Sequence, residues 1–426
     1  MDLRCRSDGC FVILVLLMVG LIGRCINGDN DGDAVGALMV KTEQEALYSA
    51  IQGFVGNWWN GSDLYPDPCG WTPIQGVSCD VYDGYWYVTD LSIGQIYDNS
   101  FPCAQNLELR PQLFQLKHLK SLSFSNCITS PNQATIQTAN WDSFSGTLES
   151  LEFRANPGLS GPIPTAFGSL KNLLSLVLID NRLSGDLPVN IGNLTHLKRL
   201  VLSGNLFTGK IPESYGYLSE LLIMDLSRNS LSGNLPLTFE GLTSVLKIDL
   251  SKNQLEGLIP SGISNLKNLT LLDLSNNKIC GELNFANQEM SSLEELILSN
   301  NPISGDLMSF NWQYVYKLMV LDLSNTGLTG VVPESISSLK NLRFLGLNDN
   351  KLSGNLSPKL ADLGNLTAFY VHGNNLTGDL KFPQQFYRKM GRRFGAWNNS
   401  NLCFRSAKVP ANLRPFGVKL CREEQL

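Results

Sequence analysis

Residues that could carry catalysis are sparse in this chain. Histidine occurs only at His118, His196 and His372. No two of them share a motif, and G-x-S-x-G, H-E-x-x-H and phosphate-loop patterns are absent. His118, on a loop beside Leu119, reads as solvent-exposed. The acidic run "DNDGD" at 29–33 has Ala34 where a calcium loop needs its turn glycine, so it reads as a solvated linker. No enzyme activity, metal or small-molecule cofactor is therefore expected. Ten cysteines are the richer signal. N-x-S/T sequons at Asn60, Asn193, Asn268, Asn355, Asn365, Asn375 and Asn398 are candidate glycan acceptors. A net charge of −5 argues against a nucleic-acid or anionic-membrane partner.

What must position any functional residue is a repeat. The pattern L-x-x-L-x-L-x-x-N starts at Leu148, Leu173, Leu197, Leu221, Val245, Leu269, Leu293, Leu318, Leu342 and Leu366, in steps of 24 or 25 residues. A further copy, "LKSLSFSNC", begins at Leu119, 29 residues ahead of the next, and a worn copy begins at Val88. The first, fourth and sixth positions point inward and stack into one core, and the stretch between them alternates like a strand. Strands of neighbouring copies pair in parallel about 4.8 Å apart, so about eleven copies span about 50 Å. The closing asparagines form a column: Asn156, Asn181, Asn205, Asn229, Asn253, Asn277, Asn301, Asn350 and Asn374. Such amides satisfy backbone groups that a turning, non-helical chain leaves unpaired. Cys127 and Thr326 stand in the same column, where one proton each makes a weaker rung. The asparagine is followed by L-x-G-x-I/L-P, as in "LSGDLP" at 183–188, where glycine permits the turn and proline sits off the ladder. Asn284, Met308, Ser357 and Lys381 replace that proline, so a less regular outer flank is expected there.

A 24-residue repeat carrying L-x-G-x-I-P resembles the plant extracellular leucine-rich-repeat class: receptor kinases, receptor-like proteins and polygalacturonase inhibitors. The resemblance runs from about Glu43 to Cys421. The worn first repeat and the long "NNSNLCF…GVKLC" ending are most similar to the Piriformospora indica-insensitive type of receptor-like protein. It implies an α/β repeat solenoid, a horseshoe with a parallel concave sheet and disulfide caps. "PCGW…GVSC" resembles the family's N-terminal cap, which would join Cys69 to Cys79. Cys403 and Cys421 resemble the closing cap.

The two ends support a secreted chain. Arg4 and Arg6 precede an apolar run from Phe11 to Gly23, too short to span a bilayer and laid out like a secretory signal. The organisation read from the sequence is a leader over 1–28, an N-terminal cap over 29–87, a solenoid over 88–382 with about eleven repeats plus one degenerate, and a C-terminal cap over 383–426. A helix over 43–54 covers the first coil, since a repeat stack exposes its core at each end. Secretion implies an oxidising compartment that supports bridges. Three cysteines fall in the leader, and seven cannot all pair. Cys103 either bridges Cys127 or stays unpaired beside a buried Cys127. Cys280 is the odd one, read as a semi-buried thiol.

That leaves a binding surface. The concave face takes the third, fifth, seventh and eighth positions of each copy. Asp225/Ser227, Asp249/Ser251, Asp273/Ser275 and Asp322/Ser324 read as solubility filler. Departures from it are the candidate sites. Early copies place Glu152, Arg154, Val177, Ile179, Arg199 and Val201 there, where exposed valine and isoleucine would suggest a partner patch. Late copies place Phe344, Asn348, Asp349, Tyr370 and His372, with aromatics as anchors. Trp141 sits in a polar insertion, and Trp312, Tyr314 and Tyr316 on an outer flank read as packing between copies. By resemblance, the function is a receptor-like recognition module at the cell surface or outside the cell. Its partners would be a protein or peptide ligand and a receptor-kinase co-receptor. The Arg-x-Arg pair with which the family's peptide receptors often hold a ligand carboxylate is not found. The alternative is a secreted inhibitor of a pectin-degrading enzyme.

Overall fold

The computed structural model describes residues 37–94, 103–104, 108–128, 134–283, 289–405 and 414–421. The leader, the acidic run at 29–33 and Asn284 lie outside them. Each inward leucine column is buried: Leu173, Leu176 and Leu178 in one copy and Leu269, Leu272 and Leu274 in another are almost fully shielded. Three apolar side chains per rung, repeated, fuse into one continuous core from Ala46 to Phe404. The strands above that core form a 15-stranded sheet whose order follows the chain. Every pairing in it is parallel except the N-terminal hairpin of Val77–Tyr82 with Tyr85–Gly94. Register is kept from rung to rung: Leu176 lies opposite Leu200, Leu200 opposite Met224, and Met224 opposite Ile248. A one-residue slip would turn those inward side chains to solvent, which fixes the register.

Two backbone devices repeat. The L-x-G glycines, Gly161 to Gly378, hold φ between 72° and 99°, the left-handed range that a side chain would strain. The following proline precedes a single 3-10 turn on the convex side, as Pro188 does for Val189–Asn193. Loss of that proline is tolerated at Ser357, whose hydroxyl caps the turn by accepting from Lys359 N–H. At Met308 the turn splits into Leu307–Ser309 and Trp312–Val315. After Lys381 it gives way to an α-helix, Gln384–Met390.

The asparagine column holds the inner edge. Asn253 Nδ2 donates to Leu226 O at 3.0 Å on the rung before and to Leu250 O at 3.1 Å on its own, while its Oδ1 accepts from Leu231 N at 3.0 Å. One amide thus satisfies three backbone groups. The Cys127 position is covalent instead: Cys127 bridges Cys103, which decides between the two open readings of that pair.

At the N-terminal end the helix Lys41–Val55 buries Ala46, Leu47, Ala50, Ile51 and Phe54 over the first rung. Its Glu43 is also buried and accepts from Val88 N at 3.4 Å, and burial pushes its carboxyl up to about 7. Cys69–Cys79 ties this cap to the hairpin. At the other end the sheet continues past residue 382. Phe394–Gly395 pairs with Phe369–Tyr370, and Asn399 extends the amide column by donating to Val371 O at 3.0 Å. Cys403–Cys421 closes this end.

The insertion before Leu148 is not a solvent-facing polar loop around its tryptophan. Trp141 is fully buried against Phe114 and Phe167, because the longer rung leaves room for an indole under the convex face. Trp312 is likewise buried, whereas Tyr316 is exposed. Cys280 is exposed and free rather than semi-buried: its position on the flank points away from the inward columns.

Candidate functional site

The concave sheet is the one extended surface made by outward side chains of every rung, and it divides into three zones. In the early zone Glu152 and Arg154, two apart on one strand, pair with each other at 2.8 Å. Val177 lies opposite Glu152 and Val201 in the ladder. Both valines are buried, at 0% and 6% exposure, which corrects the expectation of exposed apolar side chains. The two short branched side chains lie side by side between Glu152 and Asp225, on strands about 4.8 Å apart, and are covered by their neighbours. Ile179 and Arg199 are half-buried. The early residues therefore offer one ion pair and little exposed apolar surface, and Arg199 Nε is buried without a hydrogen-bond partner.

In the middle zone Asp225, Asp249 and Asp273 stand directly opposite one another on adjacent rungs. Each aspartate accepts from the backbone of the serine two residues on, at 3.0, 2.9 and 2.9 Å. Burial above all, then the like charges of Asp273 and Asp225, pushes Asp249 up to about 7. Asp273 is raised for the same leading reason.

The late zone is aromatic. Phe344 and Tyr370 lie 6.0 Å apart, Tyr370 and His372 6.1 Å, and His372 stacks on Trp397 at 4.0 Å. Asp349 Oδ2 lies 3.7 Å from His372 Nε2, while His372 Nδ1 is buried with no partner. Burial holds the imidazole below its ordinary value, with Asp349 pulling the other way. Asn348 is half-buried and donates to Asp349 at 2.8 Å. The late candidates thus converge on one cluster, whereas the early ones lie several rungs away.

Trp397 completes this cluster and was missed at the sequence level. Its rung is disguised: Gly391, Phe394 and Ala396 stand at the first, fourth and sixth positions, Gly391 is exposed with Met390 buried beside it, and Asn399 closes the pattern. The surviving spacing from Phe394 to Asn399 and Leu402 was the available signal. Gly395 makes the cluster possible: a Cβ there would meet Trp397 and Tyr370 at 2.8 Å and His372 at 3.0 Å. His118 is not a free surface histidine but stacks on Tyr82 at 4.1 Å. All seven sequon asparagines are exposed, and Asn398 adjoins Trp397.

The leucine rich repeat model matches residues 195–255, 219–279 and 291–352, over the most regular rungs. The fold is a leucine-rich-repeat solenoid. The chain is 58% identical over 170 residues to Piriformospora indica-insensitive protein 2 of Arabidopsis thaliana, a match that covers 39% of this chain and 40% of that protein. It is 35% identical over 151 residues to Receptor like protein 29 of the same plant, covering 35% of this chain and 32% of that one. The matched stretches thus span well under half the length of these relatives. Among solved structures, the leucine-rich-repeat fold is shared with the plant peptide hormone receptor RGFR1 in complex with RGF2. That likeness has a TM-score of 0.57 and 25% identity, and covers 79% of this chain and 61% of that one. The chain is accordingly similar to plant leucine-rich-repeat receptor-like proteins. No helix among the described residues is long and apolar enough to cross a membrane.

Proposed function

We propose that this protein is an extracellular recognition module that binds a peptide, a microbial product or a partner ectodomain on its concave face and signals through a kinase-bearing co-receptor. The observation that carries this reading is the cluster of Phe344, Tyr370, His372 and Trp397 on a sheet whose middle rungs carry Asp and Ser beside Ile223, Lys247 and Leu271 but no aromatic ring. Aromatic rings on a rigid face are good anchors, because little side-chain freedom is lost when a partner covers them. Asn348 and Asp349 border these anchors. Glu152, Arg154, Ile179 and Arg199 form a second, polar contact region, with Val177 and Val201 supporting it from below. Likeness to a peptide hormone receptor solved with its ligand supports the choice of partner class. The protein works at the cell surface or in the extracellular space, with glycans on the exposed sequon asparagines.

The test is affinity purification of the tagged protein, separately from membranes and from extracellular wash fluid, beside the double substitution F344D/Y370D. A receptor kinase recovered from membranes with the native chain, and lost with a normally secreted double variant, supports the reading. Undiminished recovery with the double variant overturns the late cluster as the contact site. Recovery from wash fluid of a pectin-degrading enzyme, inhibited by the pure protein, replaces the receptor reading with the inhibitor one.

A further inference from the structure

The net charge of −5 conceals a strong asymmetry. Between Leu380 and Cys421 the chain carries nine basic residues and no acidic one. Arg388, Lys389, Arg392, Arg393, Arg414 and Lys419 are all exposed. Among the described basic residues of this cap only Arg405 pairs with a carboxylate, Asp379 at 2.9 Å. Uncompensated like charges held together raise each other's cost and create a strong positive potential, which an anionic partner relieves.

This basic cap adjoins exposed aromatic surface. Phe416 is 77% exposed, yet it is rigidly mounted: Pro415 is buried before it, Val418 packs on the core, and Cys403–Cys421 closes the loop behind. Its ring lies 6.0 Å from Trp397, edge-on, and Trp397 in turn stacks on His372. A residue larger than Gly417 would collide with Trp397 Cβ, at 2.6 Å, so the loop lies directly on the indole. Arg414 and Lys419 flank Phe416 along the chain, and Arg393 enters the strand two residues before Gly395.

We propose that this C-terminal cap is a binding site for an acidic polysaccharide, a linear chain of uronate sugars. The Phe416 ring and the Trp397 edge would receive the C–H faces of the sugar rings. Arg392, Arg393, Arg414 and Lys419 would receive their carboxylates, in charge-assisted and partly bidentate hydrogen bonds. The helix Gln384–Met390 argues against a membrane as the occupant. Its apolar residues Phe386, Tyr387 and Met390 are already buried in the core, which leaves no apolar face to enter a bilayer. The site adjoins the concave cluster through Trp397, but its charged contacts lie on the cap, so uronate binding can be tested apart from partner recovery and does not rest on it.

The experiment is a binding titration of the secreted, full-length protein with a purified oligogalacturonate. Comparators are the methyl-esterified oligomer of equal length, polyglutamate, and phosphatidylserine vesicles. Binding of the uronate chain is expected to fall with added salt and to vanish on esterification. Replacing Arg392, Arg393 and Arg414 together by Gln should weaken it by about tenfold or more. F416A, which removes an exposed ring, should weaken it while secretion and thermal stability stay unchanged. Failure of the native protein to bind the oligomer overturns the proposal, as does undiminished binding by the triple variant. Equal affinity for polyglutamate or for the vesicles also overturns it, and makes the cap a contact for an acidic protein or a membrane surface.

Discussion

His372 and Trp397 lie face to face on adjacent rungs, with ring centroids 4.0 Å apart and planes 13° from parallel. The stack shields the imidazole and leaves Nδ1 buried without a partner. The charged and titratable groups around it are Asp349, 3.7 Å from Nε2, and Tyr370, edge-on at 6.1 Å. Burial outweighs Asp349, so His372 holds its proton less tightly than the ordinary 6.5. Between its folded value and 6.5 the unfolded chain binds more protons, and stability must rise with pH across that window. The native-minus-H372Q difference in urea midpoint, measured from about pH 5 to pH 8, should show this rise, because the opposing contributions of Glu43 and Asp249 are common to both proteins. The difference in tryptophan emission between the two proteins should titrate below 6.5. A pH dependence identical in both proteins would sink this account of the stack.

Asp249 behaves with the opposite sign. It sits between Asp225 and Asp273 on a half-buried face and is pushed up to about 7, chiefly by burial. The folded state therefore holds its proton more tightly than the unfolded chain. The corresponding stability is present at low pH and is lost as pH rises through about 7. Asn can accept from Ser251 N–H as Asp does. D249N should thus be more stable than the native chain at about pH 8, by about 1 kcal/mol after allowance for partial solvent screening. That advantage should shrink as pH falls toward 4. A variant less stable than the native protein at every pH would show that the carboxylate is needed for more than its hydrogen bond.

The periodicity made most of this molecule legible, because in a solenoid each rung repeats the same local solution. Leu173, Leu176 and Leu178 dictate an inward column whatever the other residues are, and Gly185 must take its left-handed turn in every copy that has it. What the pattern could not carry was height. Val177 and Ile179 both face the concave side, yet Val177 is fully buried and Ile179 only half so, since burial there depends on the neighbours' side-chain lengths. The last rung hid for a related reason. Ala396 is a small inward residue near the large Phe394, and the first position is an exposed Gly391 with Met390 buried beside it, so volume moved from one position to another without changing the fold. Trp397 therefore went unread although it is the central ring of the late cluster. The charge asymmetry of the C-terminal cap was plain in the residue types but invisible in a whole-chain sum.

Thr326 is the weak rung of the amide column. Its hydroxyl lies 2.6 Å from Asn350 Oδ1 and 3.1 Å from Leu323 O, and its single proton can serve only one of them. Asparagines elsewhere in the column reach back to the preceding rung, as Asn301 does to Leu274 O at 2.9 Å. T326N restores that bond on a half-buried inner edge and should raise stability by about 1 kcal/mol. The shift should appear in the urea midpoint, with slower amide exchange on the rungs from Leu293 and Leu318. No change in either would mean that ordered water already completes this rung.

Position eight of each rung is left-handed throughout, with φ from 48° to 70° between Asn126 and Asn398. Most copies meet the demand with Asn, Asp or Gly, the residues that tolerate it. Ala155 does not: it holds φ at 53° on an exposed residue whose N–H donates to Ile179 O at 2.9 Å. A155G keeps that bond and removes the strain. Relief of about 1–2 kcal/mol is partly offset by the extra freedom of glycine in the unfolded chain, leaving a net gain of about 0.5–1 kcal/mol. The reverse change at the equivalent site gives the control. In G204A the new Cβ would stand 2.1 Å from Asp180 Oδ1 at φ 70°, so strain and collision act together and stability should fall. Urea denaturation of both variants beside the native chain checks the pair. A destabilised A155G would mean that the alanine methyl group contributes packing that outweighs its backbone strain.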